Sequence, residues 1–155
     1  MLIGQLDGDP CPSPTVTLTT SNFGPYPMSN DLTRLKTRFI GRPSTVTELF
    51  NLIGNPLSAQ TCLDLGLVTF AFDELDWEDE IRIFLEERAA FSPDALVGLE
   101  ANLRFPGPET METKIFGRLT AWQNWIFQRD NAAGEQGALR RYGSGQKGVF
   151  DPKRT

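Results

Sequence analysis

The spacing of apolar positions changes several times along the chain. Thr15-Val16-Thr17-Leu18-Thr19-Thr20 alternates β-branched and apolar residues, which predicts a strand with one buried face. Asn22-Phe23-Gly24-Pro25-Tyr26-Pro27 cannot extend it, because Gly24 opens unusual backbone angles and two prolines withdraw donors. A shaped aromatic loop is expected there, a usual place for a binding surface. Leu32, Leu35 and Phe39 then share one face of a short helix, with Asn30 or Asp31 as its cap and Gly41 and Pro43 as its stop. A second short helix begins at Ser44 or Thr45, where Glu48 completes a capping box, and ends at Gly54 and Pro56. Ser58 caps a third, Ala59 to Leu65. Leu67-Val68-Thr69-Phe70-Ala71-Phe72 predicts a second strand.

The second half reads as helical. Asp76 caps an acid-rich first turn, and Trp77, Ile81, Phe84 and Leu85 form an apolar stripe. Ser92-Pro93-Asp94 is a cap followed by proline at the first helical position, with Ala95, Leu96, Leu99 and Leu103 as the next stripe. After Pro106-Gly107-Pro108, the longest helix is expected from about Glu109 to Gln128. Met111, Ile115, Leu119, Trp122 and Ile126 lie on its inner face, so Trp122 should be buried. Two strands separated by helices do not make a stable sheet unaided. The pattern therefore predicts an incomplete α/β domain, mostly helical with two or three short strands. Its expected parts are a core remnant over residues 1–72 and a helical region over 73–155.

Composition narrows the chemistry. The chain has 155 residues, 39% apolar and 23% charged, which suits one folded domain rather than wholesale disorder. A net charge of −5 gives little attraction for a phosphate backbone, so no nucleic-acid partner is expected. No apolar run approaches the ~20 residues that cross a bilayer, so no membrane partner is expected either. The first residues carry no basic region, and Asp7 and Asp9 arrive early, so they do not read as a signal peptide. Cys11 and Cys62 without such a signal suggest reduced thiols and a cytoplasmic protein. With no histidine, the chain can build neither a Ser-His-Asp nor a Cys-His system, and no His-ligated zinc.

Each remaining candidate has two readings. Asp73, Glu74, Asp76, Glu78, Asp79 and Glu80 could hold a hard cation, but they also suit a helix N-terminus, and no metal site is assigned. Glu86 and Glu87 do not face each other on a helix, while Glu109 and Glu112 could face together in a first turn. Arg140, Arg141 and Lys147 could meet phosphates or be solvated. Trp122 and Trp125 could stack on a ligand, but at helical spacing they read as packing residues.

Several segments together carry a family resemblance. They are NFGPYPMSNDLTRLKTRF, SPDALVGLEANLRFPGPETMET with TAWQNWIFQR, and GALRRYGSGQKGVFD. They closely resemble the C-terminal part of the benzoyl-CoA-dihydrodiol lyases, a divergent family of the crotonase (enoyl-CoA hydratase/isomerase) superfamily. The resemblance covers about residues 15 to 152 and implies an incomplete crotonase-like fold. It implies that the intact enzyme opens the ring of 2,3-epoxybenzoyl-CoA, giving 3,4-dehydroadipyl-CoA semialdehyde and formate in aerobic aromatic degradation. CoA is then part of the substrate, no separate cofactor is required, and the intact enzyme is a homo-oligomer. Because the family's oxyanion-hole amides and one catalytic glutamate lie upstream of anything here, the chain looks like an inactive C-terminal fragment. Matching Gly24, Pro27 and Arg34-Leu35 to the superfamily pattern puts Thr20 where another acid–base glutamate belongs. No carboxylate occurs between Thr15 and Asn30, so no catalytic residue is assigned. Asn22, Phe23, Gly24, Tyr26 and Pro27 would shape the substrate pocket, and Arg140, Arg141 and Lys147 would approach the CoA phosphates. The alternative is a non-catalytic helical interaction module.

Overall fold

A computed structural model of the chain describes residues 1–4, 8, 10–104 and 106–154. Asp7 and Asp9 lie outside the described residues. The chain divides into two compact units, Met1–Phe84 and Leu85–Thr155. That division falls inside a helix. Among the described residues the regular structure is mostly helical, with one two-stranded sheet.

In the first unit the sheet pairs β1 (Thr15–Thr17) with β2 (Pro56–Ser58), antiparallel, with Val16 opposite Leu57. Val16 and Leu18 turn toward the core, as the alternation predicted. The strand is shorter than expected, because Thr20–Asn22 winds into a 3₁₀ turn. The partner strand was not expected at all. Pro56 reads as a stop, yet at the first position of a strand its missing N–H costs nothing. Gly54 makes the entry possible with a φ of 83°, and its N–H donates to the Leu18 carbonyl at 3.0 Å.

The expected strand at Leu67–Phe72 is not formed. That stretch is irregular, although the N–H groups of Leu2 and Gly4 donate to the carbonyls of Phe70 and Phe72. Three short helices surround the sheet: α1 (Arg34–Arg38), α2 (Pro43–Phe50) and α3 (Ala59–Asp64). Ser58 caps α3 as predicted, accepting from the Thr61 N–H at 3.2 Å. The caps of α1 and α2 differ from expectation. Thr33 caps α1 through its hydroxyl, and Pro43 takes the first position of α2 after Arg42. Asn30 instead accepts from the Leu32 N–H, and Asp31 adopts a positive φ in that turn. Leu18, Phe39, Leu49, Leu57 and Cys62 make the buried cluster.

Helix α4 (Glu74–Ala89) begins earlier than predicted, with Asp73 rather than Asp76 as its cap. It has no buried residue, and Leu85 of its expected stripe is exposed.

The second unit holds α5 (Pro93–Arg104), α6 (Thr120–Ile126), α7 (Asp130–Ala133) and α8 (Ala138–Arg141). The turn leading into α6, Thr113–Leu119, winds as a π-helix, a wider coil that the sequence period does not announce. The inner face of α5 is not its leucine stripe. Asp94 and Gly98 are buried, while Leu99 and Leu103 are exposed. The reason is a close approach: a Cβ at Gly98 would sit 2.6 Å from Ile126 Cδ1 and 3.9 Å from Trp122 Cβ.

Asp94 is 0% exposed, and its Oδ1 lies 3.4 Å from Arg129 Nε. The Arg129 guanidinium in turn lies 5.0 Å from the ring centre of Trp125, which meets Trp122 edge-on at 5.4 Å. Trp122, expected to be buried, is half-buried, and so is Trp125, because their rings pack on each other and on a cation. Arg129 takes the N-cap position of α7, and Asp130 forms its first residue. Asn131 is buried and exchanges hydrogen bonds with the Asp151 backbone at 2.9 and 2.7 Å, which ties the last residues to α7.

Two outcomes follow. Burial raises the Cys62 thiol above its ordinary value, whereas Cys11 is exposed. At about pH 8.5, where a free thiol is half ionised, iodoacetamide should label Cys11 and reach Cys62 only on unfolding; mass spectrometry reads the difference. Because the unfolded thiol ionises first, stability through this residue falls as pH rises past that value. Arg129→Leu should strand the Asp94 carboxylate and destabilise the second unit by about 2–4 kcal/mol. Asp94→Asn added to it should recover part of the loss, both read by urea unfolding on tryptophan fluorescence.

Candidate functional site

The shaped loop of the first unit begins at the 3₁₀ turn. Asn22 closes that turn by accepting from the Thr19 N–H at 2.8 Å. A backbone bond from the Met28 N–H to the Leu32 carbonyl then draws the far side of the loop together at 2.8 Å. These constraints place the loop beside α1.

Between them lies a groove of about 300 Å³, lined by Ser21, Asn22, Tyr26, Thr33, Arg34, Leu35 and Arg38. Of the expected pocket residues, Asn22 and Tyr26 line it. Phe23 does not, because it packs edge-on against Phe50 at 5.2 Å and joins the core. Gly24 and Pro27 are exposed and are not among the lining residues. Thr20 is exposed at the start of the 3₁₀ turn. The lining contains no carboxylate. A hydroxyl at Thr20 can donate a hydrogen bond but cannot take a proton from carbon near neutral pH.

The arginines of the groove escaped the sequence reading as site residues. The available signal was charge: Arg34, Lys36, Arg38 and Arg42 fall together with no acid among them, in a chain of net charge −5. Thr33 is buried, and its hydroxyl accepts from the Lys36 N–H at 3.1 Å, which fixes the start of α1. Arg38 donates through Nε to the Gly66 carbonyl at 2.6 Å, and Arg42 lies 5.6 Å over the Phe39 ring.

The basic residues of the second unit are not gathered in this way. Arg140 and Lys147 are exposed, and Arg141 is half-buried. A cavity of about 340 Å³ in that unit is lined by Asp130, Glu135 and Asp151 among others, and by none of the three cations. Glu109 pairs with Arg118 at 2.8 Å rather than with Glu112. The Glu112 carboxyl is held below its usual range by its own backbone N–H and by the Thr110 hydroxyl. The acids at the start of α4 act as local partners: Asp73 accepts from the Asp76 N–H, and Asp79 pairs with Arg82 at 3.2 Å. Among the described residues no group of acids and cysteines converges as a metal site would require. No helix among them is long and apolar enough to cross a membrane.

No family model matches the chain. Against curated proteins, the chain is 55% identical over 140 residues to a benzoyl-CoA-dihydrodiol lyase from Aromatoleum evansii. The match takes in 90% of this chain and 25% of that lyase, so the chain spans about a quarter of its relative's length. Over most of its length this chain is therefore similar to part of a benzoyl-CoA-dihydrodiol lyase, the family that its sequence resembles.

Proposed function

We propose that the chain supplies the C-terminal part of a crotonase-like lyase that opens the ring of 2,3-epoxybenzoyl-CoA. The products would be 3,4-dehydroadipyl-CoA semialdehyde and formate, in aerobic aromatic degradation in the cytoplasm. The observation that carries this reading is the 55% identity over 90% of the chain. In the intact enzyme, backbone amides would polarise the thioester carbonyl, glutamates would move protons, and water would attack the ring. CoA enters as part of the substrate, and no further cofactor is invoked. The enzyme would act as a homo-oligomer.

The chain by itself is proposed to be inactive. Thr20 stands at the expected acid–base position, and no carboxylate lines the groove beside it. Asn22 and Tyr26 would contribute to the pocket wall. Arg140, Arg141 and Lys147 would contribute charge toward the CoA phosphates.

One observation favours a second reading, a helical module that binds a protein partner. Leu103, Met111, Phe116 and Phe127 are exposed on the second unit, and a contiguous apolar patch built from such side chains would mark a protein interaction site. Purified chain mixed with the epoxide thioester should release no formate above the uncatalysed rate, whereas release at enzyme-like rates would overturn the proposal. Calorimetric titration with benzoyl-CoA against CoA alone separates the readings: tighter binding of the benzoyl thioester supports the lyase, and the module predicts no preference for it.

A further inference from the structure

We infer that the groove between the 21–28 loop and α1 is a binding site for a diphosphate-type polyanion. This inference stands independently of the lyase reading. Charge is its first support. The segment Arg34–Arg42 carries four cations and no acid in a chain of net charge −5, so the clustering runs against the composition of the whole.

Geometry is the second support. Arg34 and Arg38 stand one helical turn apart, which puts their Cβ atoms roughly 5–6 Å from each other. Both line the same cavity of about 300 Å³, a size at the small end of ligand pockets. That separation suits two adjacent phosphoryl groups, and the planar fork of each guanidinium matches phosphate oxygens. Among the described residues no carboxylate pairs with either side chain. Arg38 keeps Nε on the Gly66 carbonyl, which holds the fork in place and leaves its terminal nitrogens for a ligand.

The rest of the lining fits the same ligand. Ser21 and Tyr26 offer hydroxyl donors, and Asn22 uses its oxygen on the Thr19 N–H, which leaves its amide NH₂ to donate. Asp31, the nearest acid in sequence before α1, is not among the lining residues. The groove therefore offers donors and positive charge, the complement of a diphosphate. Either inorganic pyrophosphate or the diphosphate of a nucleotide-like molecule such as CoA presents that group.

The test is calorimetric titration of the full chain at low salt, with pyrophosphate in one arm and CoA in the other. Pyrophosphate should bind, and raising the salt should weaken it. Arg34→Gln should weaken binding about tenfold or more, the usual scale for losing a charge-assisted pair, with an unchanged thermal melt. Arg34→Lys should recover part of the affinity. Tighter binding of CoA than of pyrophosphate, still dependent on Arg34, would identify the nucleotide-like source; equal affinities would identify the free anion. No pyrophosphate binding, full affinity in Arg34→Gln, or loss in Arg140→Gln instead would overturn the inference.

Discussion

A carboxylate with no access to water must find a cation, and Asp94 is in that position. Arg129 supplies the charge from thirty-five residues away in sequence. The consequences run through the second unit. Arg129 can reach Asp94 only if α6 lies close to α5, and Gly98 permits that approach because any side chain there would strike Ile126. The same guanidinium covers Trp125, which sets the ring against Trp122. Two tryptophans, an arginine, an aspartate and a glycine therefore form one packed set. Asp94 Oδ2 and Ser92 Oγ have no hydrogen-bond partner among the described residues, which makes the single contact with Arg129 the more consequential.

The first unit is governed by a different shortage. Two three-residue strands bury little, so Leu18 and Leu57 are joined in the core by Phe39 just after α1, Leu49 of α2 and Cys62 of α3. What remains outside that core is a loop shaped by prolines and a 3₁₀ turn, with arginines facing the groove it makes. The groove has donors and charge but no base. That combination suits holding an anionic group, and on the proposed reading it leaves proton transfer to residues beyond this chain.

Much of this was legible from the residues. The alternation at Val16 and Leu18, the cap at Ser58 and the proline opening α5 acted locally, and local chemistry reads directly from sequence. The failures share a cause in partners distant along the chain. Pro56 reads as a breaker until a strand at Thr15–Thr17 pairs with it. Leu99 and Leu103 carry the helical period of a buried stripe, yet they are exposed, because Ile126 approaches α5 at Gly98. The site showed the same split. Asn22 and Tyr26, which the family resemblance assigns to the pocket wall, line the groove, while Arg34 and Arg38 were passed over because helical arginines usually read as solvated. Their meaning came from a cavity that only the loop and helix together create.

On the proposed reading, this chain works as one part of a larger lyase. The most direct measurement combines it with the rest of the Aromatoleum evansii lyase, expressed as a separate polypeptide, and follows sedimentation velocity. The predicted result is one co-sedimenting complex, with apolar dye binding by the chain alone that is lost in the complex. A chain that sediments as a compact monomer, melts cooperatively, binds no apolar dye and ignores the added polypeptide would contradict it.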